Sequence, residues 1–315
     1  MERVLAGFDV GGTKCAVSTG IEENGTIKLL TREEFKTPVS QQEAATRMCD
    51  MARIQAGSAK ISAIGISAGN PMDAARGMLM NPPNLPGWTD WSMTDFAAQR
   101  LSAPAVMEND ANACALAEWR WGAGKGADNM VFITFGTGFG AGLILDGKLY
   151  RGRLGNAGEL GHWRIAEHGP AGYGKLGSYE GFCSGGGIAQ LAATVGERYR
   201  QLGLPCAYLD GEISAKTVAE AARKGDKASL EVFAIVATRL GQGLALVIDF
   251  LNPDRIVLGS IFARSGDLLE AGMREVLRAE CLKDSYAMCE IVPAMLGDRI
   301  GDYAALALAA GIQGE

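Results

Sequence analysis

The sequence predicts an α/β protein of about two domains, and two glycine-threonine turns carry this prediction. The turns are Asp9–Lys14 and Thr134–Gly142, and each follows an apolar strand-like run and leads into another. The 315 residues, 48% of them hydrophobic, can fill the cores of about two domains. Glycine lets backbone N–H groups approach an anion closely, and threonine hydroxyls add donors. Two such hairpins, one small domain apart, therefore indicate a nucleotide triphosphate held between two domains.

Strand-like and helix-like segments alternate along the chain. Strands are predicted at 4–10, 15–21, 26–35, 61–67, 105–107, 130–133, 143–145 and 255–258. Helices are predicted at 41–54, 111–121 and 303–310, and they dominate 188–251. The glycine-rich segment 151–187 is too long for an ordinary connection, which is typical of a functional loop.

The composition predicts a cytoplasmic enzyme with no nucleic-acid or membrane partner. The net charge is −6, and no cluster of lysine and arginine reverses it locally. The start of the chain lacks the charge pattern of a signal peptide, and no apolar stretch approaches the ~18 residues needed to span a bilayer. The 7 cysteines are scattered without a CxxC pair, which indicates reduced thiols.

Neither turn fits the common phosphate-binding loops. A P-loop needs the spacing GxxxxGK[ST] before a helix, which both turns lack. Gly136, Gly138 and Ala141 match the loose dinucleotide-binding fingerprint, but that motif must lead into a helix. Here it leads into a strand-like run followed by Asp146-Gly147, a hairpin-turn signal. A plain β-hairpin remains the alternative for Gly11-Gly12, whereas the run of small residues in the second turn favours function.

Asp110 lies between the two turns, where a predicted strand meets a predicted helix. One interpretation is a helix N-cap, because Asp and Asn are favoured there. The other is a general base that accepts the proton of a substrate hydroxyl as it attacks a phosphoryl group. On the second interpretation Asn109 holds a neighbouring hydroxyl. The two roles are compatible, because a carboxylate has two oxygens.

Three polar side chains in the glycine-rich segment are candidates for binding a sugar. They are Glu159, His162 and Glu180. Carboxylates and imidazole bind hydroxyls well, and an aromatic side chain such as Trp88 can cover the apolar face of a sugar ring. The alternative is that the two glutamates are surface charges and His162 is a loop residue. A metal site at His162 and His168 is disfavoured, because zinc needs about four ligands and no cysteine lies between them.

Four motifs in order along the chain resemble the ROK family (repressors, open reading frames, kinases). They are Asp9–Lys14, Glu108–Ala113, Thr134–Gly142 and Gly158–His162. The resemblance covers nearly the whole chain and implies the two-domain actin-like ATPase fold, also called ribonuclease H-like, with ATP and sugar bound in the interdomain cleft. The implied domains are a small one, 1–108 plus 299–315, and a large one, 109–298.

The resemblance also implies a glucokinase-like activity and a role for individual residues. The implied enzyme is an ATP-dependent hexose kinase acting with Mg²⁺ on the 6-hydroxyl of glucose or a close hexose, as a homodimer, with Asp110 as general base. The implied sugar ligands are Asn84, Asn109, Asp110, Glu159, His162 and Glu180. The implied nucleotide ligands are Asp9, Gly11, Gly12, Thr13, Lys14, Thr134, Gly136, Thr137, Gly138 and Gly259.

One departure from the family concerns zinc. Many members carry the motif CxCGxxGCxE after the histidine that corresponds to His162. Aligning Glu180 with the glutamate of this motif places Ala171, Tyr173 and Ser178 at the three cysteine positions. Every thiolate is missing, so we expect no structural zinc. His162 is then available to the sugar or held by another side chain, and we expect Tyr173 and Tyr179 to order the segment.

Other functions within the family remain alternatives. One is a kinase for an N-acetylhexosamine, fructose or allose. Another is a sugar-binding sensor without a DNA-binding domain, although such a protein has no need of two phosphate-binding turns. Repressors of the family carry a winged helix before the first turn, and we expect none here because only eight residues precede Asp9.

Overall fold

The structure, a computed structural model, describes residues 3–312. Its strands are β1 Arg3–Val10, β2 Lys14–Glu23, β3 Thr26–Lys36, β4 Lys60–Ala68, β5 Met72–Asp73, β6 Met78–Leu79, β7 Ala105–Asn109, β8 Met130–Ile133, β9 Ala141–Leu145, β10 Lys148–Tyr150, β11 Ala171–Gly172, β12 Lys175–Leu176, β13 Arg255–Leu258 and β14 Glu290–Pro293. Its α-helices are α1 Gln41–Ala56, α2 Met93–Leu101, α3 Asp110–Trp121, α4 Tyr179–Cys183, α5 Gly185–Gln201, α6 Ala215–Arg223, α7 Lys227–Leu251, α8 Ser260–Glu280, α9 Lys283–Met288 and α10 Ile300–Gly311.

The first five-stranded sheet has the order β3-β2-β1-β4-β7. Strand β1 pairs antiparallel with β2 and parallel with β4, which pairs parallel with β7. Side chains alternate between the faces of a strand, so Phe8 and Leu5 of β1 contribute to two separate hydrophobic clusters. Helix α10 lies close against the sheet at Gly65, where a Cβ would come within 1.9 Å of the Ala305 carbonyl oxygen. This arrangement fixes the ends of β1 and β7, which carry Asp9 and Asn109.

The second five-stranded sheet has the order β10-β9-β8-β13-β14, the same pattern as the first. Strand β13 pairs parallel with both β8 and β14, and β9 and β10 form an antiparallel hairpin. Asp146 and Gly147 at its turn have φ of 51° and 69°, as the Asp-Gly pair predicts. The turn after β8 therefore leads into a strand, which confirms that it is not a dinucleotide-binding loop.

The chain divides into two compact units. The first contains the described residues up to Gly126, the segment Gly142–Ala157 and the described residues from Met295 onward. The second contains Ala127–Ala141 and Gly158–Ala294. In this division helix α3 and the segment Gly142–Ala157 group with the first unit.

Three elements late in the chain have no counterpart in the sequence prediction: α8, α9 and β14. Gly266 and Gly272 lie within α8 and weaken its local helical signal. Its buried face, Leu269, Met273 and Leu277, recurs at the four-residue spacing of a helix and stabilises it through tertiary contacts.

Helix α7 corrects the expectation that no apolar stretch is long enough to cross a membrane. By length and composition alone it could do so. However, 61% of its most apolar window is buried inside the fold, as is common for the core helix of a globular domain. It contacts α8, α5, α4 and α6.

Candidate functional site

The first glycine turn joins β1 to β2, and Thr37 stabilises it through two hydrogen bonds. The Gly11 amide donates to the Lys14 carbonyl oxygen at 3.1 Å. The Thr37 hydroxyl donates to the Gly11 carbonyl at 2.6 Å, and its amide donates to the Thr13 carbonyl at 3.0 Å. Gly12 and Thr13 are exposed. No motif in the sequence points to Thr37, which lies just beyond β3.

Lys14, predicted to bind the nucleotide, forms an ion pair with Glu34. Its Nζ lies 2.9 Å from Glu34 Oε2, and both side chains are exposed. An exposed pair of this kind contributes little to stability, because water screens both charges. It therefore presents little obstacle to transfer of the ammonium to a phosphate.

Asp9 lies at the end of β1 against the first turn of α10. At Gly301 a Cβ would come within 2.6 Å of Asp9 Oδ2, so the missing side chain makes room for this carboxylate. The pKa of Asp9 is raised to about 6, mainly by burial and also by the Asp302 and Asp110 carboxylates, while the charges of Arg32 and Lys14 lower it. Asp9 and Asp110 are thus close enough for their charges to interact.

Asp110 is the first residue of α3, and the residue before it caps the helix. Asn109 Oδ1 accepts hydrogen bonds from the amides of Ala111 at 2.9 Å and Asn112 at 3.3 Å. Asp110 is exposed, and its Oδ1 accepts from the Ala111 amide at 2.8 Å. The N-cap interpretation of Asp110 is therefore wrong. Asn109 is the cap. Its side-chain nitrogen, Nδ2, is the group that would donate to a hydroxyl.

Glu108, which belongs to the Glu108–Ala113 motif but is not among the predicted site residues, stabilises this corner from its buried side. Its side chain is only 2% exposed. Oε1 accepts from the Asn109 amide at 3.0 Å and from Asn112 Nδ2 at 3.1 Å, while Oε2 accepts from Arg151 Nε. A carboxylate at the buried end of a strand, directly before Asn-Asp, is the sequence signal that could have identified it.

Asn84 approaches the first glycine turn directly. A Cβ at Gly12 would lie 2.7 Å from both the Cβ and the carbonyl oxygen of Asn84. The expectation that Trp88 covers a sugar ring is wrong, since Trp88 is 2% exposed and its Nε1 donates to the Val39 carbonyl at 2.9 Å. Trp88 anchors the loop that presents the exposed Asn84.

The second glycine turn is closed by its own residues. The Gly136 amide donates to the Gly138 carbonyl at 3.0 Å. The Thr134 hydroxyl accepts from the Gly140 amide at 3.1 Å, so it stabilises the turn internally. Thr137 and Gly138 are exposed. Of the two threonines, Thr137 is the exposed one.

Gly259 lies against the base of this turn, between β13 and α8. Its amide donates to the Ile133 carbonyl at 2.8 Å, and a Cβ would come within 2.5 Å of the Thr134 carbonyl oxygen. Ser260, the first residue of α8, has a φ of 35°. The structure thus brings Gly259 together with the other predicted nucleotide ligands of the second unit.

The predicted sugar ligands of the second unit also come together, around Glu180. Glu180 Oε2 accepts from the Phe139 amide at 3.1 Å, which places this carboxylate beside the second turn. Burial raises the pKa of Glu180, and the Glu159 carboxylate adds to this, while the Phe139 amide and His162 lower it. The group therefore consists of two carboxylates and an imidazole next to exposed backbone.

The segment between His162 and Glu180 contains no donor set for zinc. Ala171, Tyr173 and Ser178 offer one hydroxyl, one phenol and no thiolate. Within residues 3–312, no group of three or more His, Cys, Asp or Glu side chains is arranged to hold a metal. Tyr179 orders the segment as predicted, because it is fully buried, donates to the Leu240 carbonyl at 2.8 Å and packs against the ring of Phe139 at 4.5 Å.

Similarity to known proteins extends over almost the whole chain. A sequence model described as the ROK family matches residues 5–312. A glucokinase of Streptomyces coelicolor is 31% identical over 305 residues, which cover 94% of each chain. An N-acetylmannosamine kinase of Yersinia pestis is 33% identical over 257 residues, covering 80% of this chain and 81% of the relative.

Structural similarity agrees with the sequence matches. The crystal structure of a ROK family glucokinase from Streptomyces griseus in complex with glucose and AMPPNP matches with a TM-score of 0.77 and 32% identity. The match covers 98% of this chain and 99% of that one. It confirms the predicted α/β class and actin-like ATPase fold.

Proposed function

The chain belongs to the ROK family, and from this premise we propose that it is an ATP-dependent hexose kinase. The proposed reaction transfers the γ-phosphoryl group to the 6-hydroxyl of glucose or a close hexose. Its similarity to glucokinases along nearly its full length supports sugar and ATP as substrates.

The observation that carries the proposal is the exposed carboxylate of Asp110 at the corner between β7 and α3. Because Asn109 supplies the helix cap, α3 does not need this carboxylate in order to begin. A general base accepts the proton of the attacking hydroxyl as its oxygen approaches the γ-phosphorus. We assign that role to Asp110.

The remaining roles are assigned separately in the two units. In the first unit, we assign Asn84 and Asn109 to sugar hydroxyls and Asp9–Lys14 to the nucleotide side. In the second unit, Glu159, His162 and Glu180 bind sugar hydroxyls. The proposed nucleotide ligands there are Thr134, Gly136, Thr137, Gly138 and Gly259. Exposed backbone amides at both turns suit the charge that develops on a transferred phosphoryl group.

Mg²⁺ is the cation that we propose to accompany ATP, with Asp9 near it through water. The raised pKa of Asp9 reflects burial and two neighbouring carboxylates, a local excess of negative charge that a cation would relieve. Mg²⁺ is commonly held by one or two carboxylates together with substrate phosphates, so a complete protein ligand set is not required. When bound, it would neutralise charge on the phosphate oxygens.

We propose further that the protein works without structural zinc, as a cytoplasmic homodimer. The missing thiolates support the first point and the seven free cysteines, five of them buried, support a reducing compartment. Metal analysis of the untagged protein tests the first point, since one zinc per chain would contradict it. Sedimentation analysis tests the proposed dimer. A monomer at micromolar protein concentration would contradict it.

A sugar panel with ATP and Mg²⁺ tests the activity. We expect ADP release with the highest kcat/KM for glucose or a close hexose. The panel includes mannose, fructose, allose, N-acetylglucosamine and N-acetylmannosamine, because the similarity to an N-acetylmannosamine kinase favours that substrate as the second candidate. Preference for an N-acetylhexosamine would overturn the choice of glucose. No activity with any sugar, together with measurable sugar binding, would favour a sensor.

A further inference from the structure

We infer that the hairpin formed by β11 and β12 positions His162 through Tyr173 and Lys175. The inference rests on the proposed function, in which His162 binds a sugar hydroxyl. It makes Tyr173 and Lys175 positioning residues, because they act on the sugar through His162.

His162 receives little support from its own element. It is the last residue of a three-residue 3₁₀ helix, Leu160–His162, and its side chain is exposed. An exposed imidazole on so short an element is free to change its side-chain torsion angles unless another group restrains it. Orientation matters here, because a hydrogen bond to a sugar hydroxyl is directional.

The hairpin contacts His162 at both its ring and its backbone. The ring of Tyr173 lies 4.9 Å from that of His162, centroid to centroid, at an angle of 41°. Lys175 Nζ donates to the His162 carbonyl oxygen at 2.6 Å. One two-stranded element thus restrains the side chain and the main chain of the same residue.

The turn of the hairpin directs Tyr173 at the cost of an uncommon backbone conformation. Tyr173 and Gly174 have φ of 49° and 69°, the left-handed values of a two-residue hairpin turn. A tyrosine rarely adopts such a φ. Its side chain is 71% exposed, so burial in a core does not account for its presence. The exposed ring contacts the imidazole of His162.

Hydrogen bonds hold the hairpin at the other two positions that align with cysteines of the family motif. At Ala171, the side-chain amide of Gln190 bonds to both the backbone N–H at 3.1 Å and the carbonyl at 3.0 Å. At the third position, the buried Ser178 Oγ accepts from the amides of Gly172 at 3.0 Å and Gly181 at 3.1 Å. Hydrogen bonds therefore order the hairpin at both of these positions.

Nuclear magnetic resonance provides a test that does not depend on activity. The chain has 2 histidines, so a His168→Gln variant assigns the imidazole signals of His162 in labelled protein. We expect cross-relaxation between the His162 and Tyr173 rings, retained in Tyr173→Phe and lost in Tyr173→Ala. Absence of this signal in the wild-type protein would overturn the inference whatever the enzyme phosphorylates.

Kinetics provide the second readout. Losing an aromatic contact in Tyr173→Ala should raise the KM for sugar about threefold to tenfold, with the KM for ATP unchanged. Tyr173→Phe should behave as wild type, and Lys175→Met should raise the sugar KM in the same direction. Leu176→Ala, at an exposed position of the same hairpin, is the matched control and should change neither constant.

The outcomes separate the two proposals. An unchanged sugar KM in Tyr173→Ala, in an enzyme that phosphorylates sugar, would overturn the positioning role alone. Equal increases in the KM values for sugar and ATP would also overturn it, because they would indicate a general loss of structure. Absence of all sugar phosphorylation would refute the proposed function, while the ring-contact measurement would still decide whether Tyr173 restrains His162.

Discussion

Arg151 neutralises the buried carboxylate of Glu108 at the end of strand β7, one residue before the cap of helix α3. The Arg151 side chain is half-exposed, whereas that of Glu108 is buried. The same carboxylate accepts two further hydrogen bonds, from the Asn109 amide and the Asn112 side chain. The position of Asp110 thus depends on a charge that solvent cannot stabilise.

Replacing Arg151 by methionine should lower the free energy of unfolding by about 1–3 kcal/mol, because it leaves a buried carboxylate without its cation. The value lies below that for a fully buried pair, since water already screens the arginine side. Urea denaturation measures the change.

Two further variants make this measurement specific. Arg153→Met removes an exposed charge two residues away and should leave stability within about 0.5 kcal/mol of wild type. Adding Glu108→Gln to Arg151→Met should recover part of the loss, because the unpaired charge disappears. A wild-type urea midpoint for Arg151→Met alone would show that the pair does not stabilise the corner.

Asp110→Asn should lower kcat by at least about 100-fold, because the amide cannot accept the hydroxyl proton. Stability should change by less than about 1 kcal/mol, since Asn109 caps α3. Asn109→Ala should instead destabilise the protein by about 1 kcal/mol through loss of that cap. Steady-state kinetics and urea denaturation measure the two effects.

The control for this pair is Asp146→Asn, at the turn of the hairpin between β9 and β10, where asparagine tolerates the positive φ. It should retain both activity and stability. Near-full activity of Asp110→Asn would remove the base assignment, and unfolding of Asp110→Asn would return the residue to a structural role.

The corner at Asp110 could be predicted from sequence because its signals are adjacent in the chain: an apolar run, Asn-Asp, then good helix formers. The contacts that complete the site join distant positions. Arg151 lies 43 residues from Glu108, and Glu180 lies 41 residues from Phe139. No local pattern encodes such pairs.

Burial is the property that local sequence patterns predict least well. Trp88 lies in a proline-rich loop and was expected at a sugar, yet its indole is buried and bonded to a carbonyl 49 positions away. In helix α8 the glycines weaken the local preference for a helix, but the buried apolar face stabilises the helix through tertiary contacts. In both cases tertiary contacts outweigh local preference.

Stability should depend on pH through Asp9. Its pKa is raised from about 3.8 in the unfolded chain to about 6 in the folded protein. The carboxyl group therefore stays protonated to a higher pH in the native state than in the unfolded state. Between these values the native state binds more protons than the unfolded state. The contribution of Asp9 to the free energy of unfolding therefore falls as the pH rises from about 4 to about 6, and is constant outside that range.

Asp9→Asn removes this dependence. The stability of the variant relative to wild type should increase across the window and then remain level up to pH 8. Urea denaturation without Mg²⁺, at intervals of about half a pH unit, measures the difference; Asp128→Asn, at an exposed position, is the control. A difference between Asp9→Asn and wild type that does not vary with pH would contradict the raised pKa.

The close approach of Gly12 to Asn84 links the first glycine turn to the proposed sugar loop. An alanine Cβ at Gly12 would lie 2.7 Å from Asn84, and the Asn84 loop is anchored by the buried Trp88 and cannot easily move away. We therefore expect Gly12→Ala to lower kcat/KM for the sugar at least about tenfold and stability by about 1–3 kcal/mol. If the turn bound the nucleotide alone, Gly12→Ala would change only the KM for ATP. Gly211→Ala, where an added Cβ meets no atom within 4 Å, is the matched control and should be neutral in both assays. Unchanged sugar kinetics in Gly12→Ala, alongside a raised KM for ATP, would show that Asn84 moves without affecting sugar binding and would remove it from the proposed site.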